Sequence, residues 1–290
     1  MLNEQDLKGI FVPVVTPLLE SGDLDLASWE PYLGKLLEDG VSGIVVNGTT
    51  GESPTVTLDE LAALTTAAKS VCRKAERPVI VGTGTNDTAS TVRKTAFAGE
   101  HGADAALVVV PYYSRPSQEG IIAHYKQAAR TGLPIIAYEV PSRTGIRLAP
   151  DTVRTILEID GVIGLKDSSG GIDLMTELAR SGSHKPVLCG EDAYFHAMLS
   201  TGAAGGMLAS ANIRTSSFIE IYEQFGQGQL EASRRSFGAL LPLIRLLFQE
   251  SNPAPLKWLL ARQGRIQSDE LRLPLTPISN ELREQLASWI

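Results

Sequence analysis

The sequence predicts an α/β fold, a (β/α)8 TIM barrel with a C-terminal helical appendage, on three observations. Eight short apolar runs alternate with amphipathic stretches along the chain. The runs are near-continuously apolar, which is how strands of a parallel sheet covered on both faces read. After about residue 213 the pattern turns wholly helical. Eight βα units in 290 residues suit a barrel better than a doubly wound sheet.

The first strand signal is Ile10-Phe11-Val12-Pro13-Val14-Val15-Thr16-Pro17, and an amphipathic stretch over residues 26–37 follows and stops at Gly40. Gly43-Ile44-Val45-Val46 comes next. Thr57-Leu58-Asp59-Glu60 then opens a helix, because a threonine followed three residues later by glutamate makes a capping box. Further strand signals cover residues 78–81, 105–110, 133–137, 162–165, 186–188 and 205–208, with a helical pattern after nearly every one. Gly82-Thr83-Gly84 lacks the third glycine of a dinucleotide fingerprint and reads as a strand end. Helical patterns at 218–225, 230–248, 256–262 and 282–289 exceed what one closing helix needs. Residues 1–212 are therefore read as the barrel up to its eighth strand, and 213–290 as the closing helix plus the appendage.

Composition narrows the function classes. A net charge of −7 and a pI of about 5.2 argue against nucleic acid or an anionic membrane surface as the main partner, since both want a basic face. Met1-Leu2-Asn3-Glu4-Gln5-Asp6 has neither a basic region nor an apolar one, and no apolar run is long enough to cross a bilayer, so a cytoplasmic location is expected. Cys72 and Cys189 offer no disulfide framework and no zinc spacing. His101, His124, His184 and His196 are scattered, so no metal site is expected.

Chemistry in a barrel sits at the carboxyl ends of the strands. The sixth signal, Val162-Ile163-Gly164-Leu165, runs straight into Lys166-Asp167-Ser168-Ser169-Gly170, which places a lysine where a buried strand meets a loop. Desolvation there favours the neutral amine, a nucleophile toward carbonyl carbon. The plain alternative is a strand-end lysine reaching water or Asp167. After the second strand, Asn47-Gly48-Thr49-Thr50-Gly51-Glu52-Ser53 fits a nest of N–H groups for a carboxylate, or an ordinary βα turn. After the fifth come Tyr138-Glu139-Val140-Pro141-Ser142-Arg143-Thr144-Gly145. If Tyr138 points inward, Glu139 points away. Tyr138 is then a packed ring or a proton shuttle beside Lys166, and Arg143 is a carboxylate clamp or a solvated loop residue. An amine, phenols, hydroxyls, an anion nest and an arginine suit a class I aldol reaction.

Three fragments in register, Gly48-Thr49-Thr50-Gly51-Glu52, the Tyr138 strand end and Gly164-Leu165-Lys166-Asp167, resemble the pyruvate-dependent family of lyases and synthases that spans dihydrodipicolinate synthase and N-acetylneuraminate lyase. The resemblance runs from Gly9 to about Pro277. Finer features are similar to the synthase branch: Tyr112-Tyr113-Ser114-Arg115-Pro116, Pro141-Ser142-Arg143-Thr144-Gly145 and Asn252-Pro253-Ala254-Pro255-Leu256-Lys257-Trp258. The resemblance implies that pyruvate condenses with L-aspartate 4-semialdehyde through an imine on Lys166, with no other cofactor. It implies that Tyr138 donates and accepts the proton, with Thr49 and Tyr113 extending a relay, Tyr113 entering a neighbouring subunit's site. Thr50 and the backbone of Met207 would hold pyruvate's carboxylate; Arg143 would bind that of the aldehyde, and Gly190 would line the same cavity. A homo-oligomer follows, a dimer at least and commonly a tetramer.

Two departures stand out. Where the family usually has asparagine after the tyrosine, this chain has Glu139, which by alternation faces away from the imine; the reaction is expected to be unchanged and a supporting contact altered. Lysine-inhibited members carry histidines and a glutamate at an interface site where this chain has Leu58, Leu61 and Ser90, although Asn86 and Tyr112 match. An apolar lining cannot pair an ammonium group, so feedback by L-lysine is expected to be weak or absent. One rival keeps the imine but takes N-acetylneuraminate or a 2-keto-3-deoxy sugar acid; Arg143 argues against it. Another is a silent barrel sensing a 2-oxo acid, which has no need of lysine, tyrosine and arginine together.

Overall fold

A computed structural model describes residues 1–182 and 184–290. Eight strands close into a barrel in sequence order: β1 (Gly9–Pro13), β2 (Gly43–Val46), β3 (Val79–Gly82), β4 (Ala105–Val109), β5 (Ile135–Glu139), β6 (Val162–Asp167), β7 (Val187–Cys189) and β8 (Gly205–Met207). Helices follow as α1 (Leu26–Glu38), α2 (Leu58–Lys74), α3 (Thr88–Glu100), α4 (Gln118–Ala129), a single turn α5 (Pro141–Thr144), α6 (Pro150–Leu157), α7 (Asp173–Arg180) and α8 (Phe195–Ser200). Beyond β8 come α9 (Thr215–Gly226), α10 (Leu230–Leu247), α11 (Ala254–Arg262) and α12 (Asn280–Leu286). This is the (β/α)8 barrel with additional C-terminal helices that the sequence predicts.

Strand ends differ from expectation by a few residues. β1 stops at Pro13, although Val14 still donates to the Val45 carbonyl at 3.0 Å. Val14, Val15 and Thr16 are buried as deeply as the strand, so an apolar run over-reads its length. β6 extends through Asp167, which puts Lys166 within the strand and not after it.

Contacts group the chain into two compact units. The first comprises Met1–Gly9 and Pro78–Met207. Within it β3 to β8 pair in parallel, each with its neighbour; the helices α4, α6 and α7 bury a mainly apolar face apiece, while α3 buries Thr91, Thr95 and Ala98, the Thr95 hydroxyl meeting that of Thr83 at 2.8 Å. Tyr125 of α4 fixes β5 from behind: its hydroxyl donates to the Val108 carbonyl at 2.8 Å and accepts from the Tyr138 N–H at 3.4 Å.

The second unit comprises Ile10–Arg77 and Leu208–Ile290, with β1 and β2 parallel to each other. The capping box on α2 forms as predicted, Thr57 Oγ1 accepting from the Glu60 N–H and the Glu60 carboxylate accepting from the Thr57 N–H at 2.9 Å. α9 and α10 pack along each other. Asn212 joins three pieces of this unit, donating to the carbonyls of Pro13 and Ala209 at 2.9 and 2.8 Å and accepting from the Tyr32 hydroxyl.

Candidate active site

Two residues come together at the carboxyl ends of β5 and β6. The register pairs Tyr138 with Lys166, so their side chains project side by side from the same face of the sheet. Lys166 Nζ lies 4.3 Å from the centroid of the Tyr138 ring, and both residues are 6% exposed. Among the described residues no carboxylate forms an ion pair with Lys166. Asp167 points to the opposite face and spends one oxygen on the Ser169 N–H at 2.8 Å. That disposes of the pairing that would have made Lys166 an ordinary salt-bridge lysine. The ammonium instead rests against a π-face, a weak partner that leaves its electrons available once the proton is lost.

Gly190 follows β7, and it is glycine for a reason of space. A Cβ there would lie 2.3 Å from Ser168 Oγ, 2.7 Å from Lys166 Cε and 2.9 Å from Lys166 Cγ. Any side chain would displace Ser168 and the lysine. One residue on, burial raises the Glu191 carboxyl above its ordinary range, while the charges of Lys166 and Arg143 pull it back down. Sequence reading missed Glu191, because nothing in a glutamate after a short strand marks it.

The remaining predicted residues of this unit lie at strand ends or in the loops after them. Met207 ends β8 and is buried. Arg143 sits on α5, exposed, and the loop behind it is closed by Gly145 in the left-handed region, φ 73°. Tyr113 also has a positive φ, 72°, and its side chain is 89% exposed, so within one chain it is not brought against Lys166. Glu139 faces away from Lys166 as alternation requires, its Oε1 accepting from the Leu148 N–H at 2.9 Å.

In the other unit, the loop after β2 is held under strain. Asn47 and Glu52 adopt φ of 57° and 55°, which non-glycine residues tolerate only where surroundings enforce it. Several contacts do so. Thr16 Oγ1 donates to the Gly51 carbonyl at 2.7 Å, and the Glu52 carboxylate receives Lys257 Nζ at 2.8 Å and the Arg272 N–H at 3.1 Å. Thr50 is buried, and its hydroxyl oxygen accepts from Asn252 Nδ2 at 3.1 Å. Thr49, half-buried, precedes it. The sequence alone assigns no role to the Asn252–Lys257 string. A signal was present: Lys257 interrupts the apolar run Leu256-Lys257-Trp258-Leu259-Leu260, as Lys166 interrupts its own.

A sequence model of the dihydrodipicolinate synthetase family matches residues 6–290. The chain belongs to this family. It is 36% identical over 287 residues to 4-hydroxy-tetrahydrodipicolinate synthase 2 of Clostridium acetobutylicum, covering 98% of this chain and 99% of that one. Its fold is similar, with a TM-score of 0.93, 35% identity and coverage of 98% and 97%, to the chloride-inhibited dihydrodipicolinate synthase of Acinetobacter baumannii complexed with pyruvate. A monomeric dihydrodipicolinate synthase variant is similar at a TM-score of 0.94 and 37% identity, covering 98% of this chain and 96% of that one. Family members are lyases and synthases of the class I aldolase type, and the sugar-acid rival is not favoured. Among the described residues no cluster of three or more candidate ligands could hold a metal ion, and no helix is long and apolar enough to cross a membrane.

Proposed function

We infer that this chain condenses pyruvate with L-aspartate 4-semialdehyde through a lysine Schiff base, the entry step to diaminopimelate and lysine. The observation that carries the chemistry is a buried lysine with a tyrosine ring, and no carboxylate, against its nitrogen. Lys166 Nζ adds to the C2 carbonyl carbon of pyruvate and water leaves, giving an imine. Loss of a C3 proton gives an enamine, which attacks the aldehyde carbon. Tyr138, packed on the same nitrogen, carries the protons of imine formation.

The other roles are assigned as follows. Thr50 and the backbone of Met207 hold pyruvate's carboxylate, and the Asn252 contact fixes the Thr50 hydroxyl for that task. Thr49 and Tyr113 extend the proton relay, Tyr113 reaching a neighbouring subunit, which suits a side chain so exposed on its own. The active assembly is then a dimer at least, and a tetramer of two such pairs. Arg143 binds the carboxylate of the aldehyde and Gly190 lines that cavity. The imine replaces any external cofactor, and the location is cytoplasmic. Residues 1–212 form the barrel up to its eighth strand and 213–290 its closing helix and appendage.

The test is turnover of pyruvate with L-aspartate 4-semialdehyde, coupled to dihydrodipicolinate reductase and read as NADPH consumption, with Lys166→Ala as control. Activity in the parent that vanishes in the variant supports the assignment. No activity, with pyruvate still trapped on Lys166 by borohydride, would mean that the aldehyde is a different one.

A further inference from the structure

The strand rung next to Tyr138–Lys166 carries two acids. The register that pairs Tyr138 with Lys166 pairs Glu139 with Asp167, so the second pair lies side by side on the outer face of β5 and β6. Glu139 is 0% exposed and Asp167 1%. Each uses one carboxyl oxygen on backbone, Glu139 Oε1 on the Leu148 N–H and Asp167 Oδ1 on the Ser169 N–H. The other oxygen of each, Glu139 Oε2 and Asp167 Oδ2, is buried with no partner among the described residues. Two adjacent buried carboxyls cannot both be charged near neutral pH without severe repulsion, so the pair keeps a proton.

We propose that Glu139 is a positioning residue for the imine chemistry: it must hold a proton beside Asp167 for the backs of β5 and β6 to stay together, and thereby for Tyr138 and Lys166 to stay aligned on the inner face. The inference rests on the assignment of Lys166 as the imine-forming amine. Burial, and after it the Asp167 charge, pushes the Glu139 carboxyl up to about 7 against the Leu148 hydrogen bond. Burial raises Asp167 as well. The other groups facing the pair do not neutralise it. Arg147, in the loop between α5 and α6, favours the charged form of both acids, but it is exposed and one guanidinium N–H is committed to the Ser169 carbonyl at 2.9 Å. Asp173 and Glu177 of α7 share a cleft of about 260 Å³ with Glu139 and bring it no cation, Arg180 being held on the Glu177 carboxylate at 2.9 Å. From behind β5, Tyr125 is held neutral by burial, and past β7, Cys189 and Glu191 are pushed up by burial too. No neighbour therefore takes over the proton's task when Glu139 ionises.

The effect reaches the inner face by a short route. Glu139 follows Tyr138 directly, Asp167 follows Lys166 directly, and the Ser168 N–H bonds the Glu139 carbonyl at 2.8 Å across the two strands. Repulsion between the outer pair acts on the backbone that sets the 4.3 Å approach of Lys166 to the Tyr138 ring. Glutamine at position 139 has the shape of the protonated glutamate and cannot ionise.

The experiment compares kcat/KM for pyruvate in the parent enzyme and in Glu139→Gln between pH 6 and 9, with Glu139→Asn as the substitute if the glutamine variant fails to fold. The ratio of parent to variant is expected to be flat on the acid side and to fall as pH rises through about 7, approaching tenfold per unit where a single proton controls the step. A merely structural role lowers the variant at every pH and leaves the ratio flat, which would overturn the proposal. Borohydride trapping of pyruvate at pH 6.5, read as an adduct mass on Lys166, separates the two failures. An adduct with a flat ratio overturns the role of Glu139 alone; an absent adduct overturns the assignment of Lys166 and this inference with it.

Discussion

Two lysines of this chain are withdrawn from water, and their surroundings are opposite. Lys257 on α11 is 0% exposed and meets the Glu52 carboxylate at 2.8 Å, inside one unit of the fold. Lys166 on β6 is nearly as buried and meets a ring. For Lys257 the burial that pushes its pKa down is opposed by the charge and hydrogen bond of Glu52. A charge paired in this way holds two segments together. The comparison teaches that burial alone does not make a lysine a nucleophile. What matters is whether the surroundings stabilise the ammonium or leave it replaceable.

Exchanging the two lysines' fates is the strongest way to break that comparison. Lys166→Ala is expected to cut turnover by about 10⁴-fold or more, since no other amine replaces it. Its melting temperature is expected to stay within a few degrees, because no ion pair is lost. Turnover and melting measured on the same sample would check both. A Lys166→Ala protein that retained a tenth of its activity would remove Lys166 from the chemistry.

The converse prediction is about stability. Lys257→Met leaves Glu52 buried without its cation, which costs about 3–5 kcal/mol. Glu52 still receives the Arg272 N–H, so the lower end of that range is expected. Adding Glu52→Gln removes the stranded charge and should recover part of the loss. Denaturant unfolding of parent, single and double variants reads the difference. Equal stability of all three would mean that the pair contributes nothing.

How far these roles were legible depends on sequence distance. The eight strands and their order could be read, because a parallel strand buried on both faces announces itself as a local apolar run. Lys166 could be read for the same reason, being a charge where the run should have continued. The Thr50 loop could be read as an anion nest or an ordinary βα turn, but what braces it could not be read: Asn252 reaches Thr50 across 202 residues and Lys257 reaches Glu52 across 205. No local pattern encodes such a partner. Lys257 carries the same signal as Lys166, a charge in an apolar run, and that signal reports burial without saying whether a counter-ion waits. Glu139 was legible only as facing away from Tyr138; that it faces Asp167 required the β5–β6 register.

The carboxylate-binding assignments give smaller effects that sharpen the contrast between the two regions. Arg143→Ala should raise KM for the aldehyde by about tenfold to a hundredfold, the 1.5–3 kcal/mol of a charge-assisted hydrogen bond, while borohydride still traps pyruvate at the parental rate. Asn252→Ala should do the reverse on a smaller scale, raising KM for pyruvate about fivefold through the loss of one hydrogen bond to the Thr50 hydroxyl and sparing KM for the aldehyde. If both variants shifted the same KM, the division of the two carboxylates between Arg143 and Thr50 would fail.

The smallest expected effect concerns a third ammonium group, that of free L-lysine. A regulatory pocket for it must supply what Glu52 supplies to Lys257, an acceptor at close range in a place water does not fill. At the positions where lysine-inhibited relatives place histidines and a glutamate, this chain has Leu58, Leu61 and Ser90. Leu61 is 0% exposed, turned into the core under α2, and Leu58 is 53% exposed and offers only methyl groups. Ser90 has a hydroxyl, and the Arg93 guanidinium donates to it at 2.8 Å; the Asp87 carboxylate, which accepts from the Ser90 N–H at 2.6 Å, already has that cation beside it. Two ammonium-sized charges on one hydroxyl repel, so L-lysine at millimolar concentration is expected to leave turnover within about twofold of its starting value. An inhibition curve with a micromolar midpoint would show that an acceptor is open to the ammonium after all, Asp87 at the start of α3 being the first to replace.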